Sequence, residues 1–179
     1  MKRITIIISL LMAAAVGLAP LASADSPHFK KGGTPTCNIS TSSGSSSATC
    51  TGSISGLGNG DVLINTTLQG SATYTCTNQG GNASPGQNKV NVGPTTTPTT
   101  ISAGDIKNGN LTYRASGSLT APTTVSGSAA GCPNTNWTGT NPQLTVTSIT
   151  EQIYQGGVLL FTCSATNPNG LSGTVALSC

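Results

Sequence analysis

Over several stretches from Thr36 onward, apolar side chains recur at every second position, and the cysteines keep the same phase. Cys37 and Ile39 alternate with Thr36, Asn38 and Ser40. Ala48, Cys50 and Ile54 alternate with Thr49, Thr51 and Ser53. Val62, Ile64 and Leu68 oppose Asn65 and Thr67, and Ala72, Tyr74 and Cys76 oppose Thr73, Thr75 and Thr77. Leu159, Phe161 and Cys163 share a face, as do Val175, Leu177 and Cys179. Side chains of a strand point alternately to opposite sides, so this pattern predicts antiparallel strands with one face on a core and one in water.

The segments between the strands carry matching turn chemistry. Asn59-Gly60, Asn108-Gly109 and Asn169-Gly170 supply residues that tolerate positive φ, which predicts tight hairpins there, while Gly80-Gly81 and Gly156-Gly157 mark further loops. Pro94 to Pro98 reads as a Thr/Pro connection too rigid for a central strand. Between Leu144 and Ile153 the apolar phase slips, from Leu144 and Val146 to Ile149 and Ile153, which predicts a β-bulge. About eight to ten short strands punctuated in this way form a β-sandwich or a barrel. The expectation is an all-β, single antiparallel sandwich of immunoglobulin-like type over residues 36–179, with a β-barrel as the alternative. Tyr74-Thr75-Cys76 matches tyrosine-corner spacing, a match that Thr/Tyr/Cys alternation also produces by chance.

The N-terminus reads as a cleavable export signal over residues 1–24. Lys2 and Arg3 precede an uncharged 15-residue run, Ile4 to Leu18, and Ala22-Ser23-Ala24 has the small-x-small form that a signal peptidase accepts. The run is shorter than the ~20 residues of a membrane-spanning helix. Cleavage makes Asp25 the first residue, and residues 25–35, with Gly32-Gly33 and two prolines, form an irregular lead-in. No second apolar stretch of that length follows, so no membrane span is expected after cleavage, and the protein is expected to be extracellular or retained at the cell surface.

Removing Lys2 and Arg3 also takes away most of the formal +3 charge. Five basic residues (Lys30, Lys31, Lys89, Lys107, Arg114) then face four acids (Asp25, Asp61, Asp105, Glu151), a balance that argues against nucleic acid or an anionic membrane as a partner. Serine and threonine, 22 and 29 residues, replace charge as the polar content, and threonine suits a half-exposed pleated surface. A chain of this length buries roughly two-thirds of its surface in one core.

Six cysteines in an exported chain read as disulfides: Cys37, Cys50, Cys76, Cys132, Cys163 and Cys179. No C-x-x-C pair is present, and the single histidine, His28, lies far in sequence from most of them, so neither a metal nor a cofactor is expected. A hairpin centred on the Ser/Gly run at 42–47 brings Cys37 opposite Cys50. Cys163 and Cys179 fall on one hairpin, though not directly opposite if Asn169-Gly170 makes its tight turn, and Cys76 with Cys132 is left by elimination. Fifteen connectivities are possible for six cysteines.

Candidate chemistry is sparse. His28, the only residue that could serve as the usual base of a Ser-His-Asp or Cys-His system, sits in the lead-in, where nothing pre-organises it. Asp61, Asp105 and Glu151 are the carboxylates that a hydrolase could pair, but the first two follow Gly and read as turn residues. Gly58-Asn59-Gly60-Asp61 has one acid where a calcium loop needs several. Trp137, Tyr113 and Tyr154 are candidates for a sugar-stacking platform, in competition with the core for six aromatic residues in all. Five N-x-[ST] sequons, at Asn38, Asn65, Asn82, Asn110 and Asn136, are about as many as 14 Asn among so much Ser and Thr produce by chance.

Ser26-Pro27-His28-Phe29, Gly56-Leu57-Gly58-Asn59-Gly60-Asp61, Thr75-Cys76-Thr77-Asn78 with Gly80-Gly81-Asn82, Pro85-Gly86-Gln87-Asn88 and Cys132-Pro133-Asn134 together carry a resemblance. The chain resembles a group of small secreted proteins of actinomycete-type bacteria to which no activity is attached. The resemblance spans most of residues 25–179 and implies secretion and one β-rich domain. The first expectation for function is therefore a secreted, non-enzymatic β-sandwich with a structural or interaction role. The second is a carbohydrate- or cell-wall-binding module, with Trp137 and Tyr113 as contacts and a wall polysaccharide or another surface protein as partner. The third is a secreted hydrolase using Asp61, Asp105 or Glu151.

Overall fold

A computed structural model describes residues 26–179; the expected export signal and Asp25 lie outside the described residues. Eleven strands follow in chain order: β1 His28–Phe29, β2 Thr36–Ser42, β3 Ser45–Ser55, β4 Val62–Thr77, β5 Ala83–Pro85, β6 Val90–Ile101, β7 Leu111–Thr120, β8 Val125–Ser126, β9 Thr138–Gln155, β10 Val158–Thr166 and β11 Gly173–Ala176. A 3-10 turn, Ala103–Asp105, and a one-turn helix, Gly127–Ala130, complete the list. No helix among the described residues is long and apolar enough to cross a membrane.

The strands form two antiparallel sheets. In the first, β11, β2, β3 and β7 lie side by side, and β1 pairs with the end of β3 beyond β2. The lead-in is thus tied down at His28–Phe29 rather than wholly irregular. The second sheet runs β10, β9, β4, with β6 and β5 along the far edge of β4 and β8 beside the start of β9. The inward residues of both sheets make the core that the alternation predicts. Cys37, Ile39, Ala48, Leu68, Ala72, Tyr74 and Ile149 belong to a larger cluster, and Ile54, Val62, Ile64, Leu111 and Ile153 to a smaller one. The sandwich, not the barrel, is the architecture.

The bulge is where the phase slip puts it. Gln69 opposes Ser148 and Gly70 opposes Val146, so Thr147 is the extra residue on β9. Gly70 permits the close approach there: a Cβ on it would lie 2.2 Å from the Thr145 carbonyl oxygen. The register also shifts between Thr73 and Thr75 on β4 and between Leu159 and Phe161 on β10, and the shift on β10 was not legible. It leaves Phe161 and Cys163 facing inward and turns Leu159 outward, 47% exposed, which corrects the common face read for those three residues. The Pro94–Pro98 segment is part of β6, a strand after all, but an edge strand that pairs only with β4, as two prolines require.

Turn chemistry predicted local conformation at Asn108-Gly109 but not at Asn59-Gly60, where neither residue takes a positive φ. Asn108-Gly109 forms the expected two-residue turn, with positive φ at both residues and Lys107 and Asn110 exchanging backbone hydrogen bonds. Gly156-Gly157 turns β9 directly into β10 with positive φ at both positions. Asn59-Gly60, by contrast, lies on a link from β3 in one sheet to β4 in the other, and Asn169-Gly170 on the link from β10 to β11. Both are sheet crossings and not hairpins.

All six cysteines pair as Cys37–Cys50, Cys76–Cys132 and Cys163–Cys179. Cys37 and Cys50 are register partners across a hairpin that turns at Ser43-Gly44. Cys163 and Cys179 do come opposite each other, because the chain end returns along β10 and Ser164 pairs with Ser178. That return needs the long crossing through β11, which a tight turn at Asn169-Gly170 would have prevented. Tyr74 is not a tyrosine corner: it lies on β4, and its hydroxyl donates to the Pro122 carbonyl at 3.0 Å, far downstream in sequence.

Candidate functional site

The inward phase of β9 runs Ile149, Glu151, Ile153, which places a carboxyl group between the sheets. Glu151 is 0% exposed and lies between the two apolar clusters. Its Oε2 accepts a hydrogen bond from the Tyr113 hydroxyl of β7 at 2.9 Å, and its Oε1 accepts a longer one, 3.5 Å, from the Thr66 hydroxyl of β4. Burial raises the Glu151 pKa, and the two hydrogen bonds offset only part of that rise. Tyr113 is raised as well, first by its own burial and then by the carboxylate beside it.

Tyr113 is 3% exposed, so it cannot stack on a sugar, and its expected role as a carbohydrate contact is corrected. Its ring occupies the room left by Gly52 opposite it: a Cβ on Gly52 would meet the ring at 2.7 Å. The signal was present in the sequence, since Leu111, Tyr113 and Ala115 follow one phase. Glu151 is likewise no surface carboxylate. Besides its hydrogen-bond partners it neighbours Cys37 and Cys50, whose sulfurs lie with its oxygen inside a 4.8 Å group. Both sulfurs are committed to a disulfide.

A test of this buried carboxyl follows from its raised pKa. Below the ordinary Glu value of about 4.3, folded and unfolded chains both hold the proton and the stability contribution is complete. As pH rises past that value the unfolded chain ionises first, and stability falls until the folded carboxyl also ionises. Glu151→Gln removes this titration. The melting temperature of the wild type should therefore fall relative to that of Glu151→Gln between pH 4 and pH 7, other acids cancelling in the difference. A gap that does not change with pH would show that the group is not held protonated.

The remaining polar candidates lie on the surface and are occupied locally. Asp61 Oδ1 accepts from the Ala103 backbone N–H at 2.8 Å, which ties the β3–β4 crossing to the 3-10 turn that contains Asp105. Both acids are exposed. His28 is exposed, with Nδ1 at 2.9 Å from the Ser26 carbonyl oxygen.

Trp137 is half-buried against the larger core cluster and lines a depression of about 470 Å³ with Asn78, Gln79, Gly80, Asn134 and Asn136. Several of those amides hold their own loops: Asn134 Oδ1 accepts from the Asn136 N–H, and Asn78 Oδ1 from the Asn82 N–H. Trp137 and Tyr113 share no surface, one being at this depression and the other inside the sandwich.

Of the three aromatic residues read as a stacking platform, Tyr154 alone stands on the outward phase of β9, in a row of apolar residues whose other members the sequence did not single out. Leu63 stands between the inward Val62 and Ile64, and Tyr154 beside the inward Ile153. Leu159, Tyr154 and Leu63 are register partners across β10, β9 and β4, and they end in Thr100 on β6. Beside this row a depression of about 320 Å³ is lined by Asp61, Leu63, Asn65, Tyr154, Gly156 and Gly157. Gln155 fixes its rim: its side chain accepts from the Gly58 N–H and donates to the Gly58 and Gly60 carbonyls, at 2.8–2.9 Å.

No protein-family model matches this chain, and no curated protein matches it.

Proposed function

We propose that the protein is a secreted, non-enzymatic β-sandwich that acts outside the cell as a structural or interaction protein. The observation that carries this reading is the scatter of the candidate catalytic groups, most of them committed to the fold, with Asp105 exposed on the 3-10 turn. Glu151 bridges the two sheets inside the core, Asp61 caps a turn, and His28 sits on a two-residue edge strand. General acid–base chemistry needs such groups in one open cleft with their polar atoms turned to a substrate. Three disulfides fit an oxidising, extracellular location and agree with the export signal read in residues 1–24.

The strand order supports the immunoglobulin-like reading. With β2, β3, β4, β7, β9 and β10 taken as strands A, B, C, E, F and G, A-B-E face G-F-C, as in that architecture. The sandwich departs from antibody domains in having β11 added beside β2, no disulfide between β3 and β9, and no Trp on β4.

Two measurements test the proposal. Intact mass of the protein recovered from culture medium or stripped from the cell surface should correspond to a chain beginning at Asp25 that gains six hydrogens on reduction. Incubation with cellulose, chitin and peptidoglycan should release no soluble sugar. Turnover of any of them that Asp61→Asn abolishes would make the protein a hydrolase, and recovery of the uncleaved chain only from the cell interior would end the extracellular reading.

A further inference from the structure

We infer that the outer face of the second sheet, at its Leu63–Tyr154–Leu159 end, is a non-catalytic binding site for an uncharged polysaccharide; this rests on the extracellular, non-enzymatic reading above. Two adjacent rows of side chains make the site. The first is Leu159–Tyr154–Leu63–Thr100, and the second is Thr162–Gln152–Asn65–Pro98, each residue the register partner of the next. Directly opposed residues on antiparallel strands project from the same side, so each row is a continuous strip across four strands, about 14 Å long at the usual strand spacing.

The chemistry of the two strips differs in the way a sugar chain does. A pyranose ring has apolar C–H faces and a rim of hydroxyl groups. The first strip offers an aromatic ring flanked by two leucines, and among the described residues Leu159 and its neighbour Val158 are the exposed large apolar side chains, at 47% and 64%. The second strip offers two carboxamides, each carrying both a donor and an acceptor. Neither Asn65 nor Gln152 spends its side chain on another described residue, unlike Asn78 and Asn134 beside Trp137. A depression of about 320 Å³ with a mainly apolar floor and a few polar groups is the usual form of a small-ligand subsite.

Charge sets the ligand class. Neither strip contains a charged residue, and the only one lining the depression is Asp61, whose Oδ1 already holds Ala103. A carboxylated or phosphorylated polymer would meet no cation here and one anion. A neutral glycan matches the face. The rim is held by the three Gln155 hydrogen bonds and by the two positive-φ glycines of the β9–β10 turn, so the site is formed before a ligand arrives.

The test uses the secreted protein, with Tyr154→Ala and Trp137→Ala variants, in depletion assays on crystalline cellulose, chitin and insoluble β-1,3-glucan, with polygalacturonate-coated beads as the charged counterpart. Light scattering of the same samples and an assay for reducing sugar accompany it. The expected result is retention on at least one neutral glycan and none on polygalacturonate, about tenfold weaker retention for Tyr154→Ala with its melting curve preserved, and wild-type retention for Trp137→Ala. Retention on none of the glycans, preference for polygalacturonate, or loss with Trp137→Ala instead of Tyr154→Ala overturns the site. So does a dimer that Tyr154→Ala dissolves, since it would assign the face to a second copy. Release of reducing sugar leaves the site standing and overturns the non-catalytic reading on which it rests.

Discussion

Replacing Cys76 and Cys132 together with alanine is expected to lower stability by about 4 kcal/mol, enough to bring the melting temperature down by about 8–16 °C. The reason lies in the unfolded chain. This disulfide closes a loop of 56 residues, against 13 for Cys37–Cys50 and 16 for Cys163–Cys179. In the chain-entropy account the shorter loops contribute about 3 kcal/mol each. The native side of the balance points the same way. Cys76 ends the buried run of β4, and Cys132 anchors the segment after the one-turn helix, which no long strand holds. Between Thr120 and Thr138 that segment is otherwise held by the two-residue β8, by the packing of Ala121, Ala130 and Trp137, and by single hydrogen bonds from the Ala121 N–H to the Gly44 carbonyl, the Tyr74 hydroxyl to the Pro122 carbonyl and the Asn88 N–H to the Ala130 carbonyl, with no long strand pairing. Thermal melts of the double variant beside Cys163→Ala/Cys179→Ala provide the check. Equal losses, or a larger one at the chain end, would show that loop length does not govern these bridges.

Most strand faces were legible because they depend only on neighbours two residues apart. The β9 bulge was legible for the same reason, since an inserted residue shifts every later apolar position. The bulge in β10 was hidden because Leu159, Leu160 and Phe161 are all apolar, and a slip within a uniform run leaves no mark on the pattern. Sheet membership was hidden for a different reason. Asn-Gly tolerates positive φ without dictating a hairpin: at Asn108-Gly109 both residues adopt it in a turn, at Asn169-Gly170 only the glycine does, on a crossing between sheets, and at Asn59-Gly60 neither does. The cysteine pairs could be guessed through register, yet Cys163–Cys179 came opposite by a path that local turn chemistry argued against.

The candidate site divides along the same line. A carboxyl group in the inward phase of Ile149-Thr150-Glu151-Gln152-Ile153 is a readable sign of a buried acid, although its partners, Tyr113 and Thr66, come from strands 38 and 85 residues away. The Leu63–Tyr154–Leu159 row is readable only once the register of three strands is known. In sequence each of these residues is one more apolar position beside another, and only the assembled sheet shows that they stand together on the wet face.

Tyr113→Ala should cost about 3–5 kcal/mol, the range for emptying a buried aromatic site. A Tyr113→Phe variant should cost about 1–3 kcal/mol, because the ring stays and only the hydrogen bond to Glu151 goes. The larger loss has two parts. Opposite the ring lies Gly52, whose missing side chain is the room the ring fills, so the sheets cannot close over the hole without moving β3 against β7. Glu151 Oε2 also loses the one donor described for it and keeps only the longer contact from Thr66 through its other oxygen. Raising the pH should widen the deficit of Tyr113→Phe, since a carboxylate without the hydroxyl is harder to ionise in place and the unfolded chain gains the difference. Chemical denaturation at pH 5 and pH 8 measures both effects. A Tyr113→Ala loss below about 1 kcal/mol is the size expected of a surface residue and would contradict the buried site. The contrast with Tyr154 is then direct: substitution of the inward tyrosine weakens the fold, with the Tyr113→Phe protein still held by a neutral glycan, whereas substitution of the outward one spares the fold and weakens that hold.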